Sequence, residues 1–325
     1  MIKKFNYTVA IRTLGTAGKD FEREILSLNS QSFLPEEILV YIAEGFARPK
    51  QIANEKYIYV KKGMVAQRAL SYNEINTDFI LLLDDDVYLP PNCVEILASE
   101  MERLKGDCIA ADVFIPQESS LVSKLYNFFV NLSFPHRDDK WAFKVMSNVS
   151  FTYNSNPHYG VYLSQSAAGP ISLWRKEVIQ GINYHDEIWL DQMGFAFGDD
   201  QLMFQKVYKN GYRLLVSYDS GAVHLNAKSS SSLYQQSSDK YYKRAKALYM
   251  IWFRSCFQLS NMSKMGRFRA GLSYFFKQIY LLFVHIACGV LYRDVKVLSA
   301  FIRGNVDGYK DSKKILKHLP NFIQR

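Results

Sequence analysis

The first half of the chain alternates short apolar runs with stretches of helical period. Tyr7–Arg12 reads as a strand. Phe21, Ile25 and Leu28 then recur at helical spacing, with Asp20 placed as the N-cap. A second strand is predicted over Glu37–Ala43 and a short third over Tyr57–Val60, followed by a helix from about Met64 to Asn73. Asp78–Leu83 is almost wholly apolar, as a central parallel strand buried on both faces should be. Pro90-Pro91 opens another helix, and Cys108–Phe114 forms a further strand. Alternation at this pitch predicts a doubly wound α/β sheet of Rossmann type, whose ligands sit beyond the carboxyl ends of the strands. From Phe114 to Ser164 the pattern reads as a helix and then a polar loop. The serine run Ser229–Ser232, with Gln235–Ser238, divides a region 1–230 from a region 231–325, and Lys240 to Arg303 is helical in pattern.

Charge sharpens that division. The net charge of +9 is carried unevenly: from Lys240 to Arg325 there are 17 Lys or Arg against three acids, leaving 23 basic and 28 acidic residues before it. A mildly acidic body with a basic, aromatic-rich tail points to two jobs, the tail seeking an anionic surface. With 48% hydrophobic residues, wholesale disorder is excluded. No long apolar run follows Met1–Asn6, so no secretory signal is expected. Cys93, Cys108, Cys256 and Cys288 show no paired spacing and read as free, buried thiols of a cytoplasmic protein. The tail is too apolar for a nucleic-acid binder and carries no motif of one.

Chemistry is concentrated just after the apolar strand. Asp84-Asp85-Asp86 places three carboxylates at its end, where they repel one another unless a cation is present. Alternation turns Asp84 and Asp86 to one site and Asp85 to another. Oxygen ligands of this kind suit Mg²⁺ or Mn²⁺; the bland alternative is a solvated acidic turn. A dehalogenase-type phosphatase also uses Asp-x-Asp here, but needs a nearby hydroxyl that Val87-Tyr88-Leu89 lacks. Asp199 and Asp200 open a second cluster at a helix N-terminus, whose dipole favours ionised carboxylates. Asp199 is either a cap or part of a site, whereas Asp200 has the setting of a general base. His224 is a structural hydrogen-bonder or a nitrogen ligand for a metal held by the aspartates. Arg68 is a surface ion-pair residue or, through its planar fork, a diphosphate binder.

At these residues the sequence resembles family 2 of the inverting glycosyltransferases, which have the nucleotide-binding GT-A fold. The likeness runs from Thr8 to about Leu225. It is carried by VAIRTLG, SLNSQSFLPEEILVYIAEG, LLLDDDVYLPP, the segment Ala168-Gly169-Pro170 to Arg175, and FGDDQLMFQKVYKNGYRL, in family order. The resemblance implies that Asp84 and Asp86 hold Mn²⁺ or Mg²⁺ on the donor diphosphate and that Asp200 is the base. It places Arg12 and Glu44 near the nucleoside, Arg68 near the phosphates, Asp85 on the donor side, and Gly169 and Asp199 on the acceptor side. The chain departs from the family in Ala43-Glu44-Gly45, where Asp-Asp-Gly is usual, and in having Asp199-Asp200 for Glu-Asp. No QxxRW string of the processive synthases occurs, so addition of a single sugar is the expectation. A sugar nucleotidyltransferase is the rival enzyme, of which Arg12-Thr13-Leu14-Gly15-Thr16 is a faint echo. A non-catalytic membrane-bound homologue would be expected to lose the aspartates.

The longest apolar stretch of the tail, Ile279–Tyr292, has 14 residues, fewer than the roughly 20 of a membrane span. Tyr249, Trp252, Phe253, Phe257, Phe268, Tyr274, Phe275 and Phe276 lie near it, interleaved with Lys and Arg. That composition describes a helix lying in a membrane interface or else a helical subdomain packed on the body. The tail also resembles the C-terminal helices of bacterial transferases that build lipid-linked polysaccharides, down to FIRGNVDGYKD. The implied acceptor is a lipid-linked saccharide. The expected location is peripheral, on the cytoplasmic face of the cell membrane.

Overall fold

Alternation within each central strand splits its side chains between two cores. In β1 (Tyr7–Thr13), Val9 and Ile11 face one side and Ala10 the other; in β2 (Glu37–Ala43) Ile38, Val40 and Ile42 oppose Leu39 and Tyr41. After β3 (Lys56–Val60), β4 (Phe79–Asp84) divides in the same way, Leu81 and Leu83 against Ile80 and Leu82. The computed structural model describes residues 5–113, 134–156, 159–194, 197–225, 238–292 and 295–324.

The remaining strands are β5 (Val87–Tyr88), β6 (Cys108–Ala111), β7 (Phe134–His136), β8 (Phe143–Val145), β9 (Phe151–Asn154), β10 (Val161–Leu163), β11 (Ile171–Arg175), β12 (Leu214–Ser217) and β13 (Val223–His224). The main sheet has eight strands in the order β10-β12-β6-β11-β4-β1-β2-β3. It is mixed rather than all parallel: β11 runs antiparallel to both β4 and β6, and β10 antiparallel to β12. The antiparallel β11 brings residues 168–170 beside the end of β4, where the Asp84 N–H donates to the Pro170 carbonyl at 3.0 Å. One face of the sheet is covered by α1 (Lys19–Leu28) and α2 (Cys93–Arg103). The other is covered by α3 (Lys176–Gly181), the 3₁₀ segment Tyr184–Met193, α4 (Asp199–Lys209) and part of the tail. Cys93, Cys108 and Cys256 are free and buried.

Several expectations change. Asp20 is inside α1; the N-cap is Gly18, at φ 60°, and makes no side-chain bond. The helix expected over 64–73 is a hydrogen-bonded turn over 64–68, and Tyr72, at φ 52°, lies outside helical backbone. The strand begun at Cys108 ends at Ala111. Phe114, the helix expected after it and the serine-rich boundary fall outside the described residues.

The tail forms α5 (Ser238–Trp252), a π-helical turn (Phe253–Phe257), α6 (Lys264–Tyr292) and α7 (Val295–Lys314). Gly304 and Gly308 explain part of the FIRGNVDGYKD string: a Cβ on either would press on the backbone or side chains of α5, so the two glycines let α7 approach it closely. The tail's aromatic residues do not share one role. Trp252 and Tyr274 stack at 4.1 Å in the core beneath the sheet, while Phe268, Phe275 and Phe276 are exposed. The apolar helix is also longer than its 14-residue stretch suggests: Lys264–Ala287 is long and apolar enough to cross a membrane by length and composition, with 28% of that window buried against the protein.

Candidate active site

β1 and β4 are parallel neighbours, and their register pairs Arg12 with Asp84 at the carboxyl end of both. Arg12 Nε donates to Asp84 Oδ1 at 2.5 Å and Nη2 to Oδ2 at 3.1 Å, a bidentate fork, while Nη1 donates to the Met64 carbonyl at 3.2 Å. Arg68, only 5% exposed, is the hub of the site. Its Nη2 reaches Asp84 Oδ1 at 3.2 Å and the Gly169 carbonyl at 3.3 Å; its Nη1 reaches Asp199 Oδ2 at 3.1 Å and pairs with Asp200 Oδ1. Arg12 Nη1 stands 3.6 Å from Asp199 Oδ2. Two guanidinium groups thus gather three carboxylates from two separate segments, the end of β4 and the start of α4. Burial alone would raise the Asp84 carboxyl, but the charges and hydrogen bonds of Arg12 and Arg68 outweigh it and hold it well below the usual carboxylate range.

Arg68 is aimed by a device the sequence did not reveal. Asp191, in the 3₁₀ segment, accepts the N–H groups of Val65 at 2.8 Å and Ala66 at 3.0 Å, fixing the turn that carries Arg68. Gly63 is required there, since a Cβ would overlap the Asp191 carboxylate. Tyr72 Oη donates to the Arg68 carbonyl at 3.1 Å. Gly169 is required for a similar reason: its Cβ would overlap Asp200 and crowd Arg68 Nη2. Its N–H donates to Asp200 Oδ2 at 3.1 Å. α4 begins at Asp199 with Gly198 as cap at φ 79°, and neither aspartate caps it through a side-chain bond. Asp199 therefore belongs to the arginine cluster, and Tyr184 Oη holds its carbonyl at 2.8 Å.

Asp85 points elsewhere, as strand alternation requires. The Thr13 hydroxyl donates to Asp85 Oδ2 and accepts the Gly15 N–H at 2.7 Å. Burial raises the Asp85 carboxyl, opposed by the Thr13 bond and reinforced by the charges of Asp86 and Asp84. Beneath it lies Glu24 of α1, fully buried and pushed well above the usual range by burial and then by the charge of Asp85. Thr13 lies in the VAIRTLG motif without a role assigned to it, and nothing in the sequence marked Glu24, an acid on a helix.

β5 and β13 pair antiparallel, so that His224 lies opposite Val87. His224 Nε2 is 3.0 Å from Asp86 Oδ1, and that hydrogen bond raises the imidazole above the ordinary histidine value against the opposing effect of burial. Asp86 and His224 together offer an oxygen and a nitrogen ligand side by side, which fits a divalent cation. Both oxygens of Asp84 face guanidinium groups in this arrangement, so Asp84 would have to exchange those partners to ligate the same cation. Among the described residues no group of three or more His, Cys, Asp or Glu is poised around a metal position. Glu44 is exposed just beyond β2, its N–H donating to the Val60 carbonyl at 2.8 Å. Its side chain has no hydrogen bond or ion pair with the arginine cluster among the described residues.

At the level of whole-sequence similarity, no protein family and no curated protein matches this chain. Solved structures do. A structure of GalNAc-T7 with UDP, GalNAc and Mn²⁺ superposes with a TM-score of 0.52 at 12% identity, over 83% of this chain and 55% of that one. This chain thus spans about half the length of that protein. A structure of residues 1–349 of S. aureus TarS in complex with UDP gives 0.50 at 13% identity, over 96% and 91%. The fold is that of the GT-A glycosyltransferases.

Proposed function

We propose that the chain is an inverting, metal-dependent glycosyltransferase of the family 2 type. It moves one sugar from a nucleotide-sugar to a hydroxyl of a saccharide acceptor that is lipid-linked, in cell-surface polysaccharide synthesis. The observation that carries the reading is the convergence of Asp84, Asp199, Asp200 and Gly169 on Arg68, beyond the carboxyl ends of β1 and β4 in a GT-A fold. The UDP present in the GalNAc-T7 and TarS structures makes a uridine nucleotide the first donor to try.

In this mechanism Arg12 and Arg68 turn their forks from Asp84 and Asp199 to the donor's diphosphate, for which their geometry is suited. Asp85 and Glu44 lie on the donor side, and Gly169 and Asp199 on the acceptor side. A divalent cation, Mn²⁺ or Mg²⁺, would be held by Asp86 and His224, joined by Asp84 once its guanidinium partners turn to phosphate, and would supply positive charge against the departing diphosphate. Once Arg68 engages phosphate, Asp200 is free to accept a proton. It then takes the proton of the acceptor hydroxyl as that oxygen attacks the anomeric carbon from the face opposite the leaving group. A single displacement inverts the configuration.

The tail is assigned to the membrane as a peripheral anchor on the cytoplasmic leaflet. Its exposed Phe268, Phe275, Phe276 and Phe283 stand beside exposed Lys264, Arg267, Arg269, Lys310 and Lys313. Its opposite face is docked on the body, with Trp252 Nε1 donating to the Ser147 carbonyl at 2.9 Å and Lys277 Nζ to the Asn148 carbonyl at 3.0 Å. Such docking along one side supports a helix that lies along the bilayer. The test of the enzymatic reading is thermal stabilisation by UDP, GDP, dTDP and CMP with Mn²⁺. One nucleotide should raise the midpoint, and its diphosphate should be released from the matching nucleotide-sugar only when acceptor is present. No stabilisation by any of the four would overturn it.

A further inference from the structure

A groove of about 410 Å³ opens between α6 and α7, floored by α5. Its walls are almost wholly apolar, with Tyr249, Trp252, Ile279, Leu282, Phe301 and Val306 among them. Three polar atoms on this lining have no hydrogen-bond partner although each is buried: Tyr274 Oη, Gln278 Oε1 and Asn305 Oδ1. Tyr274 itself is 3% exposed. Tyr274 and Gln278 are one turn apart on α6 and share a face. Asn305 sits across from them on α7, its Nδ2 already committed to the Phe301 carbonyl at 2.9 Å. Buried polar atoms are nearly always satisfied, so three orphans in one apolar groove indicate a ligand that completes them.

The chemistry of the orphans states what that ligand carries. Gln278 Oε1 and Asn305 Oδ1 can only accept, whereas the Tyr274 hydroxyl can donate. A pair of hydroxyls answers all three, one donating to each amide oxygen and one accepting from the Tyr274 hydroxyl, while the walls ask for a hydrocarbon chain. The mouth of the groove says where such a molecule comes from. Its rim residues Phe275, Ile302 and Val306 are 57%, 46% and 45% exposed, and they continue into the apolar outer face of α6 at Leu272, Phe276 and Phe283. Exposed Arg303, Lys310 and Lys313 lie along α7 beside that rim. An apolar patch of this size flanked by cations matches a lipid surface better than a protein partner.

We propose that this groove is a lipid site, which takes the hydrocarbon chain of a diol-bearing amphiphile out of the membrane, its two hydroxyls held by Tyr274, Gln278 and Asn305. The proposal rests on the membrane-anchoring role of the tail for the source of the ligand, but not on the glycosyl-transfer reading.

The experiment is photo-labelling of the full-length chain with a monoacylglycerol bearing a diazirine in its acyl chain. It is done both in phosphatidylcholine–phosphatidylglycerol vesicles and in non-ionic detergent micelles, with peptide mapping of the adducts. Adducts should concentrate on the segments containing Tyr274, Gln278 and Asn305. They should fall several-fold in Gly271→Leu, which fills the groove from a position where a Cβ makes only an ordinary contact with Phe257. They should fall likewise in Asn305→Leu, which removes one orphan. Binding to anionic vesicles should survive both substitutions, because neither changes charge. Adducts confined to Phe268, Phe276 and Phe283 and indifferent to Gly271→Leu would overturn the lipid site. So would a dimer in solution that Val306→Trp converts to monomer, since a second copy would then be the occupant. Failure of vesicle binding with groove labelling intact in micelles would instead remove the membrane reading alone.

Discussion

Arg68 Nη1 lies 3.1 Å from Asp199 Oδ2 while the same nitrogen pairs with Asp200, so one guanidinium holds both carboxylates that open α4. Arg68 is 5% exposed, and removing it takes the cation from Asp200 and leaves Asp84 and Asp199 with Arg12 alone. Arg68→Ala should lower stability by about 3–5 kcal/mol, as breaking a buried ion pair does. Arg68→Lys keeps the charge but loses the fork. It should fold, with nucleotide affinity weakened at least tenfold, a change of about 1.4 kcal/mol. Isothermal titration with the stabilising nucleotide reads the second effect and urea unfolding the first. Unchanged affinity in Arg68→Lys would exclude Arg68 from phosphate binding.

Asp200→Asn preserves shape and the bond from the Gly169 N–H but abolishes basicity. Donor binding should persist while the transfer rate falls by roughly 10²–10⁴. A rate within a few-fold of the parent would move the base to another residue, Asp199 first. Gly169→Ala is the geometric counterpart, because its Cβ displaces the Asp200 carboxylate without touching its charge. It should reduce turnover, and because the same Cβ crowds Arg68 Nη2 it should weaken nucleotide affinity as well.

His224 supplies a pH test. Its folded pKa is raised above about 6.5 by the bond to Asp86. The stability that bond contributes is therefore complete below the unfolded value and lost as pH rises through the folded one. Only the neutral imidazole can ligate a cation, so Mn²⁺-dependent nucleotide binding should strengthen over that same rise. Proton NMR of the His224 ring should show the raised value in the parent and a return towards 6.5 in Asp86→Asn. If cation dependence is flat across this range, His224 is not a ligand.

What the sequence made legible was periodic or local. β2 was read at its observed limits, and the apolar run before Asp84 gave the central strand, because two-sided burial leaves a bare string of Ile and Leu. Arg12, Arg68, Asp84, Asp199 and Asp200 were all singled out, and they meet. Reversal of β11 was not legible, since a short run of four buried residues looks alike in either direction. Nor was the support of Arg68 by Asp191, a hydrogen bond spanning 126 residues of sequence with no local mark at either end.

The anchoring role of the tail should be tested on the intact chain. Cutting before Lys240 would strip Met250, Ile251, Trp252 and Tyr274 from the core that covers the sheet, so a truncated body is expected to unfold rather than merely lose its anchor. Sedimentation with anionic vesicles should weaken as salt rises, the Debye length shrinking to about 3 Å at 1 M, but should not vanish while the exposed phenylalanines remain. Lys310→Glu with Lys313→Glu should remove the salt-sensitive part. Protein that ignores anionic vesicles at low salt, or that resists extraction by alkaline carbonate, would sink the peripheral reading.

The firmest tie between tail and body is ionic. Glu187 of the 3₁₀ segment, fully buried, accepts from Arg254 Nη2 at 2.8 Å, from Lys206 Nζ at 2.9 Å and from Trp189 Nε1 at 2.9 Å. Arg254 belongs to the π-helical turn and also donates to the Pro320 carbonyl at 2.7 Å. Lys206 belongs to α4, which carries Asp199 and Asp200 at its other end. Burial would raise the Glu187 carboxyl, but the Arg254 bond and the Lys206 charge reverse the shift and hold it below the usual value. The stability from this cluster is therefore present above the ordinary glutamate pKa and lost as pH falls through the folded one. Glu187→Gln leaves Arg254 buried without its counter-charge and Lys206 with Asp186 alone, at 3.3 Å, and should cost about 3–5 kcal/mol, whereas Glu187→Leu with Arg254→Met and Lys206→Met should recover most of it. Urea midpoints at constant slope measure both. Because Lys206 links the cluster to the helix of the proposed base, Glu187→Gln should also lower turnover at temperatures where the protein is still folded. The triple variant, with that helix again packed, should restore it. Equal stability of Glu187→Gln and the parent would mean that the tail is held by its apolar contacts alone.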